Sequence, residues 1–117
     1  MTAKSNSRSA ARLAAVQALF QHHMEKTPVP RLLKEFHDHR LGREIEDDQY
    51  TPAETDFFDD IVIGVTDTLE GIDRLITEKL ASGWSIGRLD KTMLQILRAG
   101  AFELMAREEI PTATVIN

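Results

Sequence analysis

Residues 12–20 read Arg12-Leu13-Ala14-Ala15-Val16-Gln17-Ala18-Leu19-Phe20, and this run decides the fold class. Alanine and leucine, the strongest helix formers, dominate it, and no glycine or proline interrupts it. Leu13, Val16, Phe20 and Met24 recur at helical spacing, which predicts a helix over 7–24 with that stripe as its apolar face. Ser7 or Ser9 supplies a capping hydroxyl, and residues 1–6 are left as a mobile basic arm. Lys4, Arg8 and Arg12 stand four apart, so on a helix they share one cationic face. No acidic residue precedes Glu25.

The charge along the chain is uneven. Residues 1–43 hold eight Lys/Arg against three Asp/Glu, whereas residues 44–117 hold six against sixteen. A chain with a formal net charge of −5 has therefore gathered its positive charge at one end. That asymmetry points to a local polyanion site rather than a general affinity for nucleic acid. At 117 residues the chain is expected to form one domain that buries about two-thirds of its unfolded surface. Cysteine is absent, which excludes disulfides, cysteine-based zinc sites and thiol catalysis. Apolar runs are too short for a membrane span and the start lacks a secretory apolar stretch, so a soluble, cytoplasmic protein with no membrane partner is expected.

Helical signals continue downstream. Thr27-Pro28-Val29-Pro30 breaks the first helix, and a second begins near Pro30 with Leu32, Leu33 and Phe36 as a short apolar face. Gly42 to Tyr50 is acidic and reads as a loop. Thr51-Pro52-Ala53-Glu54 is a helix start: a capping threonine, a first-turn proline, and a glutamate three residues after the threonine. From Phe58 through Ile61, Val62, Val65, Leu69, Ile72 and Ile76 to Leu80 the stripe persists for nearly thirty residues, which predicts one long helix. Gly64 and Gly71 lie inside it and mark close packing or a bend. Residues 82–87 form a turn. Asp90 caps a further helix whose inward face is expected to carry Met93, Ile96, Leu97, Ala101, Leu104 and Met105. Pro111 ends that connection, and Thr112 to Asn117 reads as the start of another helix. With no strand alternation, the expected class is all-α, a bundle of four or five helices.

Other residues that could carry chemistry reduce to simpler roles. His37 and His39 point to different sides of a helix, and no cysteine joins them or the His22-His23 pair, so no metal site is expected. The acidic run at Glu44, Glu46, Asp47 and Asp48 lacks a calcium-loop pattern. Glu103 and Arg98 have no nucleophile, phosphate loop or cofactor motif beside them and are read as surface or interhelical ion pairs. Trp84 is read as a hydrophobic plug between bundles or, if exposed, as a partner anchor. No catalytic residue, cofactor or metal is expected, and the chain is not read as an enzyme.

The opening Arg-Leu-Ala-Ala-Val-Gln-Ala-Leu-Phe resembles the first helix of the NusB family of bacterial transcription antitermination factors. A second match is Leu94-Gln95-Ile96-Leu97-Arg98-Ala99-Gly100-Ala101-Phe102-Glu103-Leu104, followed at family spacing by Ile110-Pro111 and Val115-Ile116-Asn117. The helix with Phe58 and Gly64 fits as well. The resemblance implies an all-α NusB-like fold of two packed three-helix bundles. It further implies binding to boxA-type single-stranded RNA in nascent ribosomal RNA leaders, together with the ribosomal protein NusE, within an RNA polymerase antitermination complex. The family's RNA contacts at the start of the first helix fall here on Arg8 and Arg12, with Lys4 outlying. Ser9 and Ala10 stand where relatives carry positive charge. Phe20, where the family often has tyrosine, either stacks a base or fills the core, and its spacing with Leu13 and Val16 favours the core. Partner contacts on the second bundle fall on Arg74, Glu78 and Lys91.

The family continues beyond Ile116-Asn117 with further helices. The second bundle over 51–117 is therefore expected to be incomplete, leaving the face with Met93, Leu97 and Leu104 uncovered and favouring a homodimer or a longer chain. Two other readings share these features: a helical protein-interaction module whose basic start is incidental, and a NusB-like domain detached from a ribosomal RNA methyltransferase.

Overall fold

A computed structural model describes residues 3–41 and 52–109, with side chains placed for 8–39 and 54–106. Within them lie five α-helices: α1 Ala3–Glu25, α2 Val29–Phe36, α3 Pro52–Asp67, α4 Leu69–Lys79 and α5 Lys91–Glu109. No strand occurs among the described residues, so the fold is all-α. The expected acidic loop, the capping Thr51 and the segment from Thr112 lie outside the described residues.

Helix α1 begins at Ala3 rather than near Ser7, so residues 3–6 are helical and neither Ser7 nor Ser9 caps it. It ends at Glu25, and the next residue, Lys26, takes a left-handed φ of 59° and returns its N–H to the His22 carbonyl at 2.9 Å. Pro30 sits in the first turn of α2, where its missing N–H costs nothing. A π-helical turn, His37–Leu41, continues α2. Asp90 caps α5 as its spacing predicted: its Oδ2 accepts from the Thr92 and Met93 amides at 3.0 and 3.1 Å.

The predicted thirty-residue helix is two helices. Thr68 separates α3 from α4, and its hydroxyl donates to the Gly64 carbonyl at 2.7 Å. A threonine hydroxyl bonded back to the i−4 carbonyl competes with the helical ladder and bends the chain. Periodicity misses this break because Val65, Leu69, Ile72 and Ile76 keep steps of four, three and four across it. Gly64 does serve close packing, since the Phe102 ring lies against its backbone, whereas nothing approaches Gly71.

Helices α1, α2 and α3 pack on one another, and α5 packs on α1, α3 and α4. The core is built from Leu32 and Phe36 of α2, Phe58, Ile61, Val62 and Val65 of α3, and Ile72 of α4. What α1 contributes differs from expectation. Its buried face is Ala11, Ala14, Ala15, Val16, Ala18 and Leu19, while Leu13, Phe20 and Met24 are exposed. Three helices close on α1, and alanine permits that approach, so the large residues fall at the edge of the buried arc. Phe20, 37% exposed, stands outside the core.

Helix α5 keeps half of its expected face: Leu97, Ala101 and Met105 pack against the core, but the buried centre is shifted. Leu94, Gln95, Arg98 and Ala99 are buried, whereas Met93, Ile96 and Leu104 face outward. The cause is polar: Arg98 points inward to Asp73 of α4, with Nε–Oδ1 and Nη2–Oδ2 distances of 2.9 and 2.8 Å. A count of apolar residues alone sends such an arginine to the surface. Trp84 is no plug between bundles. It is 53% exposed, with the Arg88 guanidinium 5.3 Å from its ring centroid.

Candidate nucleic-acid interface

Three helices meet around the basic start of α1. Arg8 and Arg12 lie one turn apart on α1, so both reach the same neighbour, Phe57 of α3. Their guanidinium carbons stand 4.5 and 5.3 Å from its ring centroid. Cations so placed are drawn to the negative face of the ring, which orders the side chains without neutralising them. Arg8 is exposed. Arg12 is held more firmly by Glu103 of α5, with Nε donating to Oε2 at 2.7 Å and Nη2 donating to Oε1 at 3.0 Å. This fork-to-fork contact raises the Arg12 pKa, chiefly through the hydrogen bond, with partial burial opposing.

A groove of about 620 Å³ opens beside this cluster, lined by Arg8, Phe57, Asp60, Ile63 and Phe102 among others. Glu103 stands where it does because α5 lies close on α3 at the Gly64–Phe102 contact, one residue away. Lys4 falls in the turn of α1 before Arg8, its side chain outside the described ones. Phe20 is exposed two turns past Arg12, about 12 Å along the helix at 1.5 Å per residue. The three partner candidates are also exposed: Arg74 and Glu78 on α4, and Lys91 at the start of α5.

Sequence reasoning reached Arg8 and Arg12 but not their neighbours. Phe57 was hidden behind Phe58, which the helical stripe assigned to the core, and the next residue on a helix points about 100° away. Glu103 was expected in an ion pair and is in one, as is Arg98, but the Arg12 partner is 91 residues distant. Three of the four histidines are engaged by other groups, and His39 is exposed. His22 Nδ1 bonds the Thr27 carbonyl at 2.8 Å, His37 Nε2 meets Asp59 Oδ1 at 2.6 Å, and His23 Nδ1 lies 3.4 Å from Arg98 Nη1. Among the described residues no group of three His, Asp or Glu is placed to hold a metal, and no helix is long and apolar enough to cross a membrane.

A sequence model of the NusB family matches residues 9–117. The chain belongs to the NusB family. The transcription antitermination protein NusB of Sphingopyxis alaskensis is 56% identical over all 117 residues, which span 78% of that protein. The NusB protein of Novosphingobium aromaticivorans is 60% identical over 110 residues, 94% of this chain and 74% of that one. The Caulobacter vibrioides NusB protein is 48% identical over 110 residues. No solved structure gives a significant match. The NusB match takes in Arg12, Phe20, Phe57 and Glu103, so all three helices of the cluster lie within the family region.

Proposed function

We infer that this NusB-family chain is a transcription antitermination factor that binds boxA-type single-stranded RNA in nascent ribosomal RNA leaders, jointly with the ribosomal protein NusE, in an RNA polymerase antitermination complex of the bacterial cytoplasm. The observation that supports it best is the Arg8–Arg12–Phe57 cluster at the only strongly basic end of an acidic family member. Guanidinium groups neutralise backbone phosphates, and an aromatic ring beside them offers a face for an unpaired base. Arg8 and Arg12 are the principal contacts in this reading, Lys4 extends the stripe, and exposed Phe20 is free of the core to meet a base further along. The chain performs no chemistry of its own.

Fluorescence anisotropy with a boxA-like RNA oligomer across a salt series tests this. Replacing Arg8 and Arg12 together by alanine is expected to weaken binding by about 1–3 kcal/mol and to flatten the salt dependence. A double variant that binds like the parent at every salt concentration sinks the assignment. In this reading NusE contacts Arg74, Glu78 and Lys91. Coupling between two sites is reciprocal, so NusE must tighten RNA binding as much as RNA tightens NusE binding. RNA affinity indifferent to NusE removes the cooperative mechanism.

In the same reading residues 1–117 form one domain, with the first helices and acidic loop over 7–50, and the middle helices together with the second bundle over 51–117. One observation favours a protein-interaction role beside RNA binding. Ile96, Gly100 and Leu104 on α5, with Leu75 and Leu80 behind them, line an apolar groove of about 950 Å³. The family's further helices, or a second copy, would bury it.

A further inference from the structure

We propose that Glu103 masks Arg12 in the free protein, standing in for an RNA phosphate that must take its place. The inference rests on the reading of α1 as the RNA-binding helix. A carboxylate presents two oxygens to a guanidinium edge, and so does a phosphate; both are recognised by the same parallel pair of N–H donors. Here the Nε–Nη2 edge of Arg12 is already filled by the two Glu103 oxygens, at 2.7 and 3.0 Å. The Arg12 side chain is 41% exposed and Glu103 only 19%, so the acid approaches from inside and the arginine faces outward.

The pair is electrically neutral as a unit, so Arg12 contributes little standing field to draw in a polyanion. Arg8, one turn away, is different. It rests on the Phe57 ring, and among the described residues no carboxylate lies within ion-pair distance of it. Of the two arginines, Arg8 is therefore an open cation and Arg12 a reserved one. The backbone of Glu103 is held near Arg12, because its helix is seated on α3 by Phe102 against Gly64, so a phosphate has to displace the carboxylate from the guanidinium edge. Release of Arg12 then depends on a strand held close by other contacts, which penalises loosely bound RNA more than RNA gripped along its length. Glu103 thereby tunes selectivity without reading a base.

The test is a four-protein cycle of parent, Glu103→Gln, Arg12→Ala and the double variant, each titrated with a boxA-like and a scrambled RNA across a salt series. Glutamine keeps an acceptor and the size of the side chain but removes the competing charge. Glu103→Gln is expected to bind the scrambled RNA roughly three- to tenfold more tightly, the range an exposed charge pair covers with added relief of phosphate repulsion. Its log–log salt slope should steepen by about 0.7, one further neutralised phosphate on a single strand. In the Arg12→Ala background the same substitution should give no gain. Unchanged or weaker binding by Glu103→Gln overturns the proposal and makes Glu103 a positioning residue. An equal gain without Arg12 also overturns it, leaving a simple field effect. If Arg12→Ala loses no affinity in either background, it is the RNA reading of α1 that fails. Glu103→Asp, which keeps the carboxylate and its charge, guards against a folding artefact: its salt slope should stay near the parent's, and a slope as steep as that of Glu103→Gln overturns the proposal by showing that any disturbance at this position suffices.

Discussion

The ring of Phe102 in α5 lies against the backbone of Gly64 in α3, in the space that a side chain at position 64 would fill. This contact sets how closely the two helices approach, and with it the reach of Glu103 to Arg12. Gly64→Ala should force the ring away and lower unfolding stability by about 1–3 kcal/mol, the usual cost of overpacking. Urea denaturation measures it. A variant as stable as the parent would show that α5 yields without loss.

Arg98 and Asp73 join α5 to α4 through two charge-assisted hydrogen bonds, with the arginine almost fully buried. Arg98→Ala strands Asp73 and empties a long side chain, and a loss of about 2–4 kcal/mol is expected, somewhat below the full buried-pair value because Asp73 is partly solvated. Arg98→Met combined with Asp73→Asn removes both charges and keeps the volume, and should recover most of that loss. Equal melting temperatures for Arg98→Ala and the double variant would contradict this.

The pKa of His23 is lowered, first by burial and then by Arg98, Lys26 and Lys91, with Asp73 opposing. A histidine that resists protonation in the fold contributes stability above its ordinary pKa of about 6.5, and that contribution is lost as pH falls below it. Stability should therefore decline from about pH 7 toward pH 5, and His23→Gln should flatten the decline. An identical pH profile for the variant rules His23 out as its source.

The outer face of α5 predicts self-association. Leu104 is 58% exposed and Ile96 is exposed beside it, over an apolar groove. Contiguous apolar surface of this kind favours burial against another face. Light scattering on the 117-residue chain should show concentration-dependent dimers, and Ile96→Gln with Leu104→Gln should return it to monomer. A stable monomer at high concentration, unaffected by these changes, contradicts the reading.

Legibility in the sequence tracked the range of the interaction. The caps at Asp90, the proline at the start of α2 and the helical character of every described segment are local, and each was readable. The helix break at Thr68 is local too, yet the apolar stripe ran through it unchanged and concealed it. Which face of α1 or α5 turns inward depends on how many neighbours each helix has, and spacing alone pointed to Leu13, Phe20, Met93 and Leu104, all exposed.

The all-α class, the start of α5 at its Asp90 cap and the basic stripe at Arg8 and Arg12 were determined by the sequence itself. Helix propensity, turn chemistry and periodicity act over a few residues and need no partner. The site's actual composition was decided by the tertiary structure. Phe57 and Glu103 come to Arg12 from helices 45 and 91 residues away in the chain, and charged groups meet at that separation only once packing has set the distances between helices. Alanine made α1 approachable, Gly64 let α5 settle, and the partner of Arg12 followed from both.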